Sequence, residues 1–150
     1  MTTTLALESG YWSSLGRGVG AIILYALVGL ALMLIGFFAV DLTTPGSLRG
    51  MVARGLPNAV IVSAAGMISM AFIVVLAIYA SAGKLSEGLI AAAIYGLVGI
   101  LAQVISVRVI EFVFGIDIGA VLKNPEFSTE ALMVAAAHFA LGLVVAVAIL

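Results

Sequence analysis

The stretch "VGAIILYALVGLALMLIGFFAV", residues 19–40, carries no charged side chain, and Asp41 with the breaker run "TTPG" follows at once. At 1.5 Å of rise per residue, a helix of that length crosses the roughly 30 Å of hydrocarbon in a bilayer. The rest of the chain has the same character. Hydrophobic residues make up 65% of it and charged residues 9%, well outside the apolar share of soluble domains, so the sequence reads as a membrane protein. Its 150 residues leave room for about four spans and no separate soluble domain.

Punctuation places the other three spans. The second is expected at residues 58–79 after Pro57, and the third at 88–107 with an extension to Phe114, where Ser86 can cap it. The fourth starts near Thr129, capped by Ser128 or Thr129 with Glu130 in its first turn, and runs to Leu150. Unpaired backbone groups are too costly in hydrocarbon for anything but helices here, because one chain of four apolar runs has no alternating strands with which to close a barrel. The fold class is therefore all-α, a polytopic four-helix membrane protein. The opening "MTTTLALESG" lacks a basic n-region followed by an apolar run, so the first span is expected to be retained.

Charge excludes some partners and orients the rest. A net charge of −1 with six scattered Lys and Arg gives no basic stripe for nucleic acid, and the lack of cysteine removes disulfides, thiolate metal sites and cysteine nucleophiles. Arg49, Arg54, Arg108 and Lys123 flank the loops at 41–58 and 109–129, whereas Arg17 and Lys84 lie at the opposite ends of the spans. The positive-inside rule then puts both loops in the cytoplasm of a bacterial inner membrane and both termini outside.

"YALVGL" at 25–30 recurs as "YGLVGI" at 95–100. That offset of seventy also carries Asp41 onto Glu111, Ser47 onto Asp117, and Leu48, Met51 and Val52 onto Ile118, Val121 and Leu122. Ser47 and Asp117 are good N-caps, and each apolar triplet falls at i, i+3, i+4, which predicts a short interfacial helix in each loop. Beyond the loops the register slips by one, laying "FIVVLAI" at 72–78 over "LVVAVAI" at 143–149. The plan is thus a tail at 1–18 with Tyr11 and Trp12 at the headgroup layer, then two-helix units at 19–80 and 81–150 related by an axis along the membrane normal.

The duplicated plan, Asp41 with Thr44 and Pro45 closing the first span, and Asn58 with Ala59 opening the second, are features in which the chain resembles the family known as domain of unknown function 350. The resemblance implies a small bacterial inner-membrane protein built from tandem two-helix units. It carries over no activity, cofactor or functional residue.

Small residues mark where helices approach closely in lipid. Gly29 and Gly36 lie on one face of the first span, and their counterparts Gly99 and Ser106 on the third, with Ala65–Ser69, Ala92–Gly96 and Gly142–Ala146 as further pairs. The polar groups at depth are Tyr25, Ser63, Ser69, Gln103 and His138, the chain's one histidine. Counted from the span ends, Gln103 lies about 10 Å deep and His138 about 12 Å, so the two are expected to hydrogen-bond across helices. The alternative is that His138 carries protons or binds a ligand. Arg108 and Glu111 have ion-pair spacing near the span end, and Asp41 is expected to make a helix-end contact. No nucleophile with a neighbouring base, phosphate loop or carboxylate pair is visible, so no enzyme, cofactor or metal site is expected. Two functions remain: an accessory or structural subunit packing on itself or on a larger envelope membrane complex, or a small oligomeric channel or transporter with His138 and Gln103 near its path.

Overall fold

The computed structural model describes residues 10–80 and 84–150. Six helices follow in order: α1 Tyr11–Thr43, α2 Leu48–Ala53, α3 Pro57–Ala80, α4 Leu85–Phe114, α5 Ile118–Lys123 and α6 Thr129–Ala148. No strand occurs among the described residues, and α1, α3, α4 and α6 are each long and apolar enough to cross a membrane. The expected architecture is present.

Local chemistry explains most boundaries. Pro57 occupies the first position of α3, where its missing N–H costs nothing. Ser47, Asp117 and Ser128 cap α2, α5 and α6, their side-chain oxygens accepting from the N–H of Gly50, Ala120 and Ala131. Gly115, at φ 64°, ends α4 in the left-handed region that glycine adopts without a Cβ penalty. Two expectations shift. Ser86 does not cap the third span, because α4 already begins at Leu85 with Lys84 at the N-cap, leaving Ser86 inside the first turn. The first helix begins at Tyr11, well inside the expected tail; its 33 residues extend about 50 Å, more than the hydrocarbon requires. Nothing between Tyr11 and Val19 has the proline that would stop it. Residues 1–9 of the expected tail lie outside the described residues.

Helix α3 is the centre of the bundle, packing against α1, α4 and α6, whereas α1 and α6 barely meet. Its tightest partner is α6, and both helices bury small residues: Ala59, Ser69 and Ala77 on α3, and Ala131, Ala135, Gly142 and Ala146 on α6. A Cβ on Gly142 would lie 2.8 Å from the Ser69 Cα, so backbone meets backbone there. Other close approaches are softer. Gly96 receives the Leu32 side chain, Gly99 that of Ile73, and a Cβ on Gly36 would sit 3.3 Å from Ile100 Cγ1.

The short helices α2 and α5 close one end together. Leu48 and Met51 on α2 and Ile118 and Leu122 on α5 point into the bundle, joining Ala59, Val62, Val107 and Val134 in one apolar cluster. Their apolar stripes therefore serve the protein core rather than lipid, while Arg49, Arg54 and Lys123 stay exposed. A second cluster, around Leu32, Met70, Ile73, Val74, Ile100 and Ala146, fills the other half.

Substituting Gly142→Ala should lower unfolding stability by about 1–3 kcal/mol, because a seam of backbone contacts cannot give way as a flexible side chain does. Gly18→Ala, where nothing lies within 4 Å of the new Cβ, should leave it unchanged or slightly raised. Thermal unfolding of both variants in detergent checks the difference.

Candidate functional site

Helix register sets a polar layer between the two apolar clusters. On α3, Ser63 and Ser69 follow Val62 and precede Ile73; on α4, Gln103 falls between Ile100 and Val107; on α6, His138 falls between Ala135 and Gly142. All four polar residues are buried. In the hydrocarbon interior such groups must find partners within the protein.

Gln103 finds one, though not the one expected. Its Nε2 donates to Ser69 Oγ at 2.5 Å, and the anticipated bond to His138 does not form. The reason lies in the α3–α6 seam: Gly142 brings α6 onto Ser69, and that serine stands between the helices within reach of the amide. His138, 2% exposed, is left with no hydrogen-bond partner on Nδ1 or Nε2 among the described residues, and Ser63 Oγ is in the same condition.

These groups border one pocket, whose enclosed free space is about 20 Å³, the size of a water molecule. Met33, Phe37 and Val40, successive on one face of α1, form one wall, and Ser63, Gly66, Met67 and Met70 of α3 form the other. Gln103 and His138 line it from α4 and α6. Its outer edge holds the exposed Met67 with half-buried Met33 and Phe37, an edge that faces lipid chains in a bilayer. Tyr25 is half-buried and does not line this space.

The remaining sequence-derived residues serve the bundle. Arg108 and Glu111 form an ion pair near the end of α4, half-buried and open enough for solvent to screen it. Asp41 accepts from the backbone N–H of Arg49 at 3.1 Å, tying the end of α1 to α2. Gly29, Gly36 and Gly99 are buried at helix contacts, and Ser106 is half-buried. Among the described residues no group of three or more His, Cys, Asp or Glu could hold a metal ion.

One residue of consequence had only a weak signal. Asn58, fully buried at the start of α3, donates through Nδ2 to the carbonyls of Val121 at 3.0 Å, Asn124 at 3.2 Å and Glu126 at 2.8 Å. Its Oδ1 accepts from the Ser128 N–H at 2.9 Å, so one amide holds the whole segment between α5 and α6. The sequence offered an asparagine just after Pro57 at a helix start, a place where it passes for a local cap. Its partners are more than sixty residues away, and spacing cannot reveal them.

The whole chain has clear relatives. Residues 14–149 match the family described as Domain of Unknown Function (DUF350). The chain belongs to that family. It is 35% identical over 134 residues to a UPF0719 transmembrane protein of Mycolicibacterium paratuberculosis, covering 89% of each chain. A UPF0719 transmembrane protein of Mycobacterium bovis is 46% identical over 81 residues, 53% of each. No solved structure matches. With four apolar helices and transmembrane relatives, this DUF350 member is a multi-pass membrane protein in contact with lipid.

Replacing Asn58 with Ala should destabilise the fold by about 2–4 kcal/mol, since it removes the bonds to three carbonyls and one N–H at once. Asn58→Asp should cost at least as much, because a carboxylate would face three carbonyl oxygens. Limited proteolysis at residues 124–128 and thermal unfolding read both effects.

Proposed function

We propose that this DUF350 protein is a non-catalytic subunit of the bacterial inner membrane that packs on a second copy of itself or on a larger envelope membrane complex. The observation that carries this reading is the state of α1. None of its residues from 11 to 28 is buried, although the helix runs unbroken through them. Within that stretch Gly16 and Gly20 are four apart on one face, each with nothing within 4 Å of where a Cβ would stand. Such a face lets another helix approach closely, the packing on which association in lipid depends.

Duplication of a two-helix unit fits this reading, with Ser47 and Asp117 as matching caps and Gly29 and Gly99 as matching buried contacts. Both loops lie at one end of the bundle, where Gly46 approaches the Lys123 side chain, and the excess of Arg and Lys supports a cytoplasmic location for that end. The second reading is a small oligomeric channel or transporter. It is favoured by one observation, that Gln103 and His138 line a common pocket at membrane depth.

Native mass measurement after mild-detergent purification tests the proposal. A homo-oligomer or a stoichiometric larger partner is expected, and replacing Gly16 and Gly20 together by Leu should dissociate it while leaving the unfolding midpoint of the separated chain within about 2 °C, as surface changes generally do. A wild-type chain that stays monomeric and free of partners, or an oligomer indifferent to that double substitution, argues against it; solute-specific leakage from reconstituted vesicles supports the transport reading instead.

A further inference from the structure

Ser63 and His138 reach the same small space from different helices, and neither side chain has a hydrogen-bond partner among the described residues. Both are at least nine-tenths buried. Gln103 is the third polar residue at that space. Its Nε2 donates to Ser69 Oγ, while its Oε1 accepts from no described group. Helices α3, α4 and α6 thus bring a hydroxyl, an amide oxygen and an imidazole to one level of the bundle.

The room between them comes from Gly66. It lies one turn beyond Ser63 on α3, and a Cβ there would meet nothing nearer than Gln103 Oε1 at 3.8 Å. The enclosed space is about 20 Å³, above the roughly 10–15 Å³ that a water molecule requires and too small for an organic ring. Cavities with wholly apolar walls stay dry, whereas a water settles where several polar groups converge. No Asp, Glu, Lys or Arg lines this space, so an ion would be held there without a counter-charge.

We propose that one ordered water molecule binds here and bridges α3, α4 and α6. It accepts from the Ser63 hydroxyl and from the N–H of a neutral His138 imidazole, and it donates to Gln103 Oε1. The donors that hydrocarbon would otherwise strand are then satisfied, and the second imidazole nitrogen stays an acceptor. The link between Gln103 and His138 that equal depth suggests is made through the water rather than directly. A bridging water is nearly as favourable in enthalpy as a direct bond, so the polar layer ties the three helices together. The site needs only one copy of the chain, so it stands or falls separately from the oligomeric reading.

The test exploits the single histidine: isotopic labelling of histidine nitrogen in the chain gives one set of imidazole signals. Water-edited solid-state NMR in lipid bilayers then reads magnetisation transfer from water protons to the imidazole N–H. Transfer is expected in the wild type and should be lost in Gly66→Ala, whose methyl group takes the space. Because Gly66→Ala keeps Ser63, that loss also excludes the serine hydroxyl as the source. Gly66→Ser supplies a hydroxyl where the water stands, so its unfolding midpoint should exceed that of Gly66→Ala by about 2–4 °C, the worth of one hydrogen bond, although alanine is the better helix former. Circular dichroism establishes that each variant folds, and if Gly66→Ala does not, the wild-type signal decides. No transfer to the wild-type imidazole, transfer undiminished in folded Gly66→Ala, or a midpoint for Gly66→Ser at or below that of Gly66→Ala would overturn the proposal.

Discussion

The close approach of α3 and α6 at Gly142 and Ser69 is the contact on which the rest depends. Lipid tails are as apolar as leucine, so helices in a bilayer gain nothing from hydrophobic exclusion and associate by packing and internal hydrogen bonds. A glycine facing a serine backbone lets two helices meet at a distance that larger side chains forbid. From that contact follows the position of Ser69 Oγ, which is where the Gln103 amide of α4 finds its partner. Three of the four spanning helices are thereby registered against one another at a single level.

The two ends of the bundle are secured differently. At the loop end, Asn58 gathers three carbonyls and one N–H from the segment leading into α6, while α2 and α5 fold their apolar stripes inward over the helix ends. One amide group, with its nitrogen and its oxygen both engaged, ties four backbone groups of the α5–α6 region to the start of α3. Away from the loops, α1 runs on alone past the last residue it buries. The rigid end and the unaccompanied helix belong to one chain, and they suggest different tasks: one preserves the fold and the other offers a surface.

Between them lies the pocket. Its polar atoms are there because helix register places Ser63, Gln103 and His138 at the level where the two apolar clusters part. Ser69 takes the Gln103 amide nitrogen, so His138 does not make the direct bond that its depth alone suggests.

What the sequence by itself determined was everything governed by local or one-dimensional rules. Uncharged runs of membrane length, caps at Ser47, Asp117 and Ser128, Pro57 at a helix start and the i, i+3, i+4 stripes of the short helices each depend on neighbours within a few residues. The depth of Gln103 and His138 was legible for the same reason, since rise per residue is fixed. Tertiary structure alone decided which groups meet. Depth is one coordinate, and two side chains at equal depth on different helices bond only if helix rotation and separation allow it. Rotation and separation are set here by Gly142 against Ser69, a contact 73 residues apart in the chain that no spacing rule encodes. The pairing of Gln103 with Ser69 instead of His138 goes with that three-dimensional choice, and the partners of Asn58 are equally invisible to spacing.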